Sequence, residues 1–96
     1  MNVGVVGLGL IGGSIAKAYK QAGNTVFGMD RDETILSYAR LAGVIDERLE
    51  RERLAVCDLV FLALYPKDSI EFLQQNRQLI KKGALVIDCC GVKKAV

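Results

Sequence analysis

The sequence predicts an open α/β fold, a parallel sheet with helices on both faces, and three observations carry that expectation. Short β-branched and apolar runs alternate with amphipathic stretches along the whole chain. The apolar runs are continuous rather than alternating, as in strands covered on both sides. Glycines stand directly after the amphipathic stretches, at Gly23, Gly43 and Gly83, where helices stop.

The elements follow in order. Val3, Val5 and Val6 form a first strand that ends at Gly7. Ile11, Ile15, Ala18 and Ala22 then recur at helical spacing and predict the buried face of a first helix. Thr25 to Met29 reads as the second strand, closed by Asp30. Asp32 has the chemistry of an N-cap for a second helix, with Ile35, Ala39 and Ala42 expected inside. The stretch from Val44 to Val56 accommodates a short edge strand and one helical turn. Leu59 to Leu64 is a continuous apolar strand, and Pro66 then interrupts that run. Asp68 and Glu71 have capping-box spacing for a third helix that buries Ile70, Leu73 and Ile80. Lys81 and Lys82 suit its C-terminal end, and Ala84 to Ile87 predicts a further buried strand.

Composition narrows the function. The chain has 96 residues, enough for one domain at most, with half of them apolar and a quarter charged. Its net charge of +2 comes from acids and bases spread evenly, and the densest run, Asp46 to Arg53, alternates in sign. No nucleic-acid footprint is present in that pattern. No apolar stretch approaches the ~20 residues of a membrane span. The N-terminus enters a strand directly, without a basic leader, so a cytoplasmic protein is expected. Cys57, Cys89 and Cys90 show no metal-ligand spacing, and reduced thiols with packing or loop roles are the expectation.

The strongest chemical signal is Gly7-Leu8-Gly9-Leu10-Ile11-Gly12, a GxGxxG turn between a valine-rich strand and a helix. In that context Gly7 makes the tight turn, Gly9 admits a pyrophosphate to the backbone and Gly12 lets helix and strand pack closely. The helix start adds unpaired N–H groups and a positive dipole end. Asp30 lies about 20 residues on, at the end of the second strand, where a carboxylate accepts from a ribose 2′-hydroxyl. Together these mark a Rossmann-type dinucleotide site. Arg31 beside it can pair with a 2′-phosphate, but Asp30 repels the same phosphate, so NAD is expected over NADP. Arg31 is then expected over the adenine or in solvent. Ser14 either reaches a phosphate or bonds a carbonyl within its own helix. Leu64, Tyr65 and Pro66 follow the central strand at its C-terminal rim and are expected to border the nicotinamide ribose, with Tyr65 a packing aromatic and not a catalytic acid.

Extended to Gly13 and Ser14, the loop resembles that of the prephenate (arogenate) dehydrogenase family. Four more segments stand in that family's order: Asp30 to Asp32, Gly43 to Glu47, Asp58 to Leu64, and Gly83 to Asp88 running into Val92 and Lys93. The resemblance implies oxidative decarboxylation in tyrosine biosynthesis, with hydride passing to the nicotinamide and a histidine drawing off the hydroxyl proton. It also implies that residues 1–96 are a truncated dinucleotide-binding domain. The chain contains no histidine, and the family's helical dimerisation domain is not in this sequence. Cofactor binding without turnover is therefore expected of the chain alone, with no catalytic residue in it. Gly91 stands where many members have a serine, which keeps a related short-acid or amino-acid dehydrogenase open; a non-catalytic nucleotide-binding module is the third reading. Lys93 is either a contact for a substrate carboxylate or a solvated terminal lysine. The last strand is expected to keep an uncovered apolar side, and a homodimer is the expected assembly.

Overall fold

The computed structural model describes residues 1–89. Its elements are β1 (Asn2–Val6), α1 (Leu10–Gln21), β2 (Thr25–Met29), α2 (Glu33–Leu41), β3 (Glu47–Arg48), β4 (Leu59–Leu62), α3 (Pro66–Asn76) and β5 (Leu85–Asp88). Short 3₁₀ turns at Arg51–Val56 and Arg77–Leu79 complete the path. The five strands form one sheet in the order β3-β2-β1-β4-β5, every pair parallel. The chain runs outward from β1 to β3, then crosses back to β4 on the other side of β1. The C-terminal ends of β1 and β4 thus flank the switch point of the sheet, where open α/β folds bind their ligands.

Alternation along the strands feeds two cores. Val3, Val5, Val26 and Phe61 pack with Ala16 of α1 and with Leu36 and Ala39 of α2 on one face. Val6, Phe27, Val60 and Leu62 pack with Leu54 on the other, against Phe72 and Leu73 of α3. Helices therefore cover both faces, as the continuous apolar strands require. The edge strand and helical turn expected between Val44 and Val56 are both present, as β3 and the first 3₁₀ turn. Asp32 caps α2 through a bond from the Thr34 N–H, and Gly23 and Gly43 end α1 and α2 with φ of 95° and 76°.

Expectations for four elements need correction. On α1 the buried residues are Gly12 and Ala16, while Ala18 and Ala22 are exposed. On α2 Leu36 is inside, and Ile35 and Ala42 are exposed. Helix α3 begins at Pro66, ahead of the start expected at Asp68, and at a first helical position the missing N–H costs nothing. No side-chain cap forms, and Asp68 and Glu71 face the cleft described below instead of closing a capping box. Ile70 is 59% exposed, and the buried residues of α3 are Ser69 and Asn76. Finally, β5 is exposed throughout: Leu85, Val86 and Ile87 belong to neither core. Its apolar surface is thus open, as the sequence suggested for one side of the last strand.

Two carboxylates tie strand starts to the rest of the fold. Asp58 accepts from the Asn2 N–H at 2.9 Å and from Lys81 at 2.5 Å, and the lysine holds its carboxyl below the usual carboxylate range. Lys81 thus serves the β4 entrance and not a helix terminus. Asp46 accepts from the Val26 N–H at 2.8 Å and pairs with Lys20 at 2.6 Å. Burial raises its pKa, but these partners outweigh burial and lower it. Cys57 is fully buried against Leu49 and Gly4, and burial pushes its thiol upward, which leaves it a packing group.

Candidate nucleotide-binding cleft

A cleft of about 1130 Å³ opens at the switch point. Its floor is the glycine turn with the ends of β1 and β2, and its far wall is the end of β4 with one face of α3. The turn depends on two glycines. Gly7 takes φ 96°, and a Cβ there would lie 2.5 Å from the Ala63 carbonyl oxygen. A Cβ on Gly12 would lie 1.7 Å from the Gly7 carbonyl oxygen, so only glycine lets α1 start this close to the turn. Gly9 is different in kind: a Cβ on it would meet no atom within 4 Å. The space above Gly9 belongs to the cleft.

Helix α1 begins at this space without a side-chain cap and without an acid in its first turn. Its leading N–H groups therefore point toward the cleft with no side-chain acceptor, and the helix dipole adds positive potential there. An anion is the acceptor such a terminus takes. Ser14 offers no hydroxyl to it, because its Oγ donates to the Leu10 carbonyl at 2.9 Å.

Asp30 fastens the turn to β2. One carboxylate oxygen accepts from the Leu8 N–H at 2.7 Å, and the other accepts from the Asp32 N–H at 2.9 Å. The Gly7 N–H donates to the Met29 carbonyl at 2.8 Å beside it. A carboxylate has about four lone-pair positions, so each oxygen keeps one for a hydroxyl of a ligand. The two roles are compatible: the backbone bonds hold Asp30 still, and Asp30 lines the cleft.

The expected site residues converge, with one in a different position. Gly7, Gly9, Leu10, Ile11, Gly12, Asp30, Arg31, Leu64, Tyr65 and Pro66 all line the cleft. Leu8 does not. Its side chain is buried in the core over Gly28, and its N–H is committed to Asp30, so it positions the turn from beneath. Tyr65 stands 81% exposed at the rim and does not pack as expected of it. Arg31 points to solvent and pairs with Asp68 at 3.4 Å. The sequence reading missed Met29, Ala63 and the α3 face of Asp68, Glu71, Phe72 and Gln75. Their spacing of three or four residues would have exposed that face once Pro66 was taken as a helix start. Gly91 and Lys93, together with Cys90, lie outside the described residues. Among the described residues no group of three or more His, Cys, Asp or Glu side chains is placed to hold a metal ion. Nor is any helix among them long and apolar enough to cross a membrane.

A parallel five-stranded sheet with this glycine turn and switch-point cleft is a Rossmann-type domain of the nucleotide-binding class. The family model for the nucleotide-binding domain of prephenate dehydrogenase matches residues 15–96, which begin just after the glycine turn. The chain belongs to the prephenate dehydrogenase family. It is 33% identical to the prephenate dehydrogenase of Lactococcus lactis subsp. cremoris over 96% of its own length and 27% of that protein. It superimposes on Synechocystis arogenate dehydrogenase with a TM-score of 0.85 at 28% identity, covering 92% of this chain and 32% of that one. Prephenate dehydrogenase from A. aeolicus, solved in complex with hydroxyphenyl propionate and NAD⁺, gives a TM-score of 0.81 at 28% identity with the same two coverages. The chain thus spans 27% of the length of its curated relative and about a third of each solved one.

Proposed function

We propose that this chain is the cofactor-binding part of a prephenate dehydrogenase and takes NAD in preference to NADP. The observation that carries the proposal is the uncapped start of α1 facing the cleft, with Asp30 anchored beside it. The pyrophosphate would lie on the α1 terminus over Gly9, and the Asp30 carboxylate would accept from the adenosine ribose. Leu64, Tyr65 and Pro66 would border the nicotinamide end from the β4 rim. When bound, the nicotinamide supplies the hydride acceptor, and the protein's part is position and electrostatics.

In the complete enzyme the substrate would be prephenate or arogenate, whose ring aromatises as hydride and carbon dioxide leave. The acid–base histidine of that chemistry is not among these 96 residues, so the chain alone binds cofactor without turning over substrate. The catalytic histidine segment and the helical dimerisation domain would be supplied beyond this domain. A homodimer would then be the working assembly. The solved A. aeolicus relative, which holds NAD⁺ and a hydroxyphenyl ligand, supports the same pairing of cofactor and substrate class.

Calorimetric titration with NAD⁺ tests the proposal. The chain should bind NAD⁺, and Asp30→Ala should weaken binding about tenfold or more, the cost of losing a charged acceptor. Equal affinity in Asp30→Ala would remove Asp30 from the site, and tighter binding of NADP⁺ than NAD⁺ would reverse the cofactor preference.

A further inference from the structure

Among the described residues, the charged ones that line the cleft are Asp30, Arg31, Asp68 and Glu71, three acids to one base. The base is the group that would take a 2′-phosphate, and it is already engaged. Arg31 extends from the end of β2 across the mouth of the cleft, where its Nη2 lies 3.4 Å from Asp68 Oδ1. The two partners are unequal. The Arg31 side chain is 82% exposed, whereas Asp68 is 31% exposed and seated in the first turn of α3. An acid in that position is favoured by the helix dipole, so the carboxylate is the fixed partner and the guanidinium the one that is held.

We infer that Asp68 sets the dinucleotide preference by holding Arg31 on the α3 side of the cleft and away from the ribose 2′ position. The inference rests on the reading of the cleft as an NAD site. A 2′-phosphate entering beside Asp30 would have to draw Arg31 off Asp68, then sit among carboxylates with one of them newly unpaired. A 2′-hydroxyl does neither and still donates to Asp30. The exposed ion pair by itself is weak, about fivefold in an equilibrium constant at most. The unpaired carboxylate facing a phosphate of nearly two negative charges adds to it, and salt screens that part over ~10 Å at 0.1 M. Asp68 is therefore a positioning residue: it acts through Arg31 and through the field, with no contact to the reacting atoms.

The test is a set of calorimetric titrations with NAD⁺ and NADP⁺, the weaker one by displacement, on the chain and on Asp68→Asn, Asp68→Glu, Arg31→Ala and the Arg31→Ala/Asp68→Asn double variant. In Asp68→Asn the ratio of NADP⁺ to NAD⁺ dissociation constants should fall about three- to tenfold. Asp68→Glu should restore the parent ratio, and Asp68→Asn should have a smaller effect where Arg31 is already gone. An unchanged ratio in Asp68→Asn, with NAD⁺ still bound by the parent, overturns the inference and leaves the NAD site standing. A shift of the same size with and without Arg31 would overturn the holding role. A parent that binds neither dinucleotide removes the NAD site, and the inference falls with it.

Discussion

Helices α1 and α2 pack into the same core, and each follows the C-terminal end of a neighbouring strand, yet they begin in opposite ways. At α2 the Asp32 side chain accepts from the Thr34 N–H at 2.9 Å, and Glu33 follows in the first turn. That terminus is complete within the protein. At α1 the N-cap is Gly9, with no side-chain bond and no acid in the first turn. An N-cap side chain contributes typically ~1 kcal/mol, so a sequence that omits one at its most crowded turn forgoes stability there. The turn is instead secured from outside, by Asp30 on Leu8 and by Met29 on Gly7. One helix start is completed by a side chain of the protein, and the other has neither a capping side chain nor an acid in its first turn.

Mutations at the two termini should therefore separate stability from binding. The largest effect is expected at Gly12, where a Cβ would fall 1.7 Å from a backbone oxygen that cannot move aside cheaply. Gly12→Ala should cost about 3 kcal/mol, the upper end of ordinary overpacking, and a lowered urea midpoint would show it. A midpoint equal to the parent would mean that α1 can shift off the turn without loss. Asp32→Ala should be milder, with about 1 kcal/mol of stability lost and NAD⁺ affinity unchanged within about twofold. Loss of NAD⁺ binding in that variant, at temperatures where it is folded, would erase the distinction between the two helix starts.

Much of this contrast could be read in the sequence. The glycine turn, Asp30 at the end of β2, the Asp32 cap and the Gly23 and Gly43 stops depend on local chemistry, and the structure has each in its expected place. The helix faces were harder because packing depth is not local. α1 lies so close to the sheet that Gly12 and Ala16 fill its contact face, and a search for larger apolar residues passes over them. On α2, Ile35 and Leu36 are adjacent and equally apolar, so periodicity alone had no means to choose between them. The start of α3 was placed too late for a different reason. Proline stops a helix in its interior but favours its first position, and only the chain path tells which applies. That error hid α3 as a wall of the cleft and with it Asp68, whose partner Arg31 is far away in sequence and near in space. The exposure of β5 was legible only in part, since an apolar strand reads as buried whether or not anything covers it.

The central claim is that the open space over Gly9, at the uncapped start of α1, holds the pyrophosphate of NAD. Gly9 has φ −70° and ψ −157°, a conformation alanine also adopts, and a Cβ there meets nothing within 4 Å. Gly9→Ala should therefore fold with a stability within about 0.5 kcal/mol of the parent. Titrated side by side with NAD⁺, the parent should bind and Gly9→Ala should bind at least about tenfold more weakly, because its methyl occupies the approach of the phosphates. Equal affinity in the two would contradict the account, since it would show that the dinucleotide does not lie on this helix start.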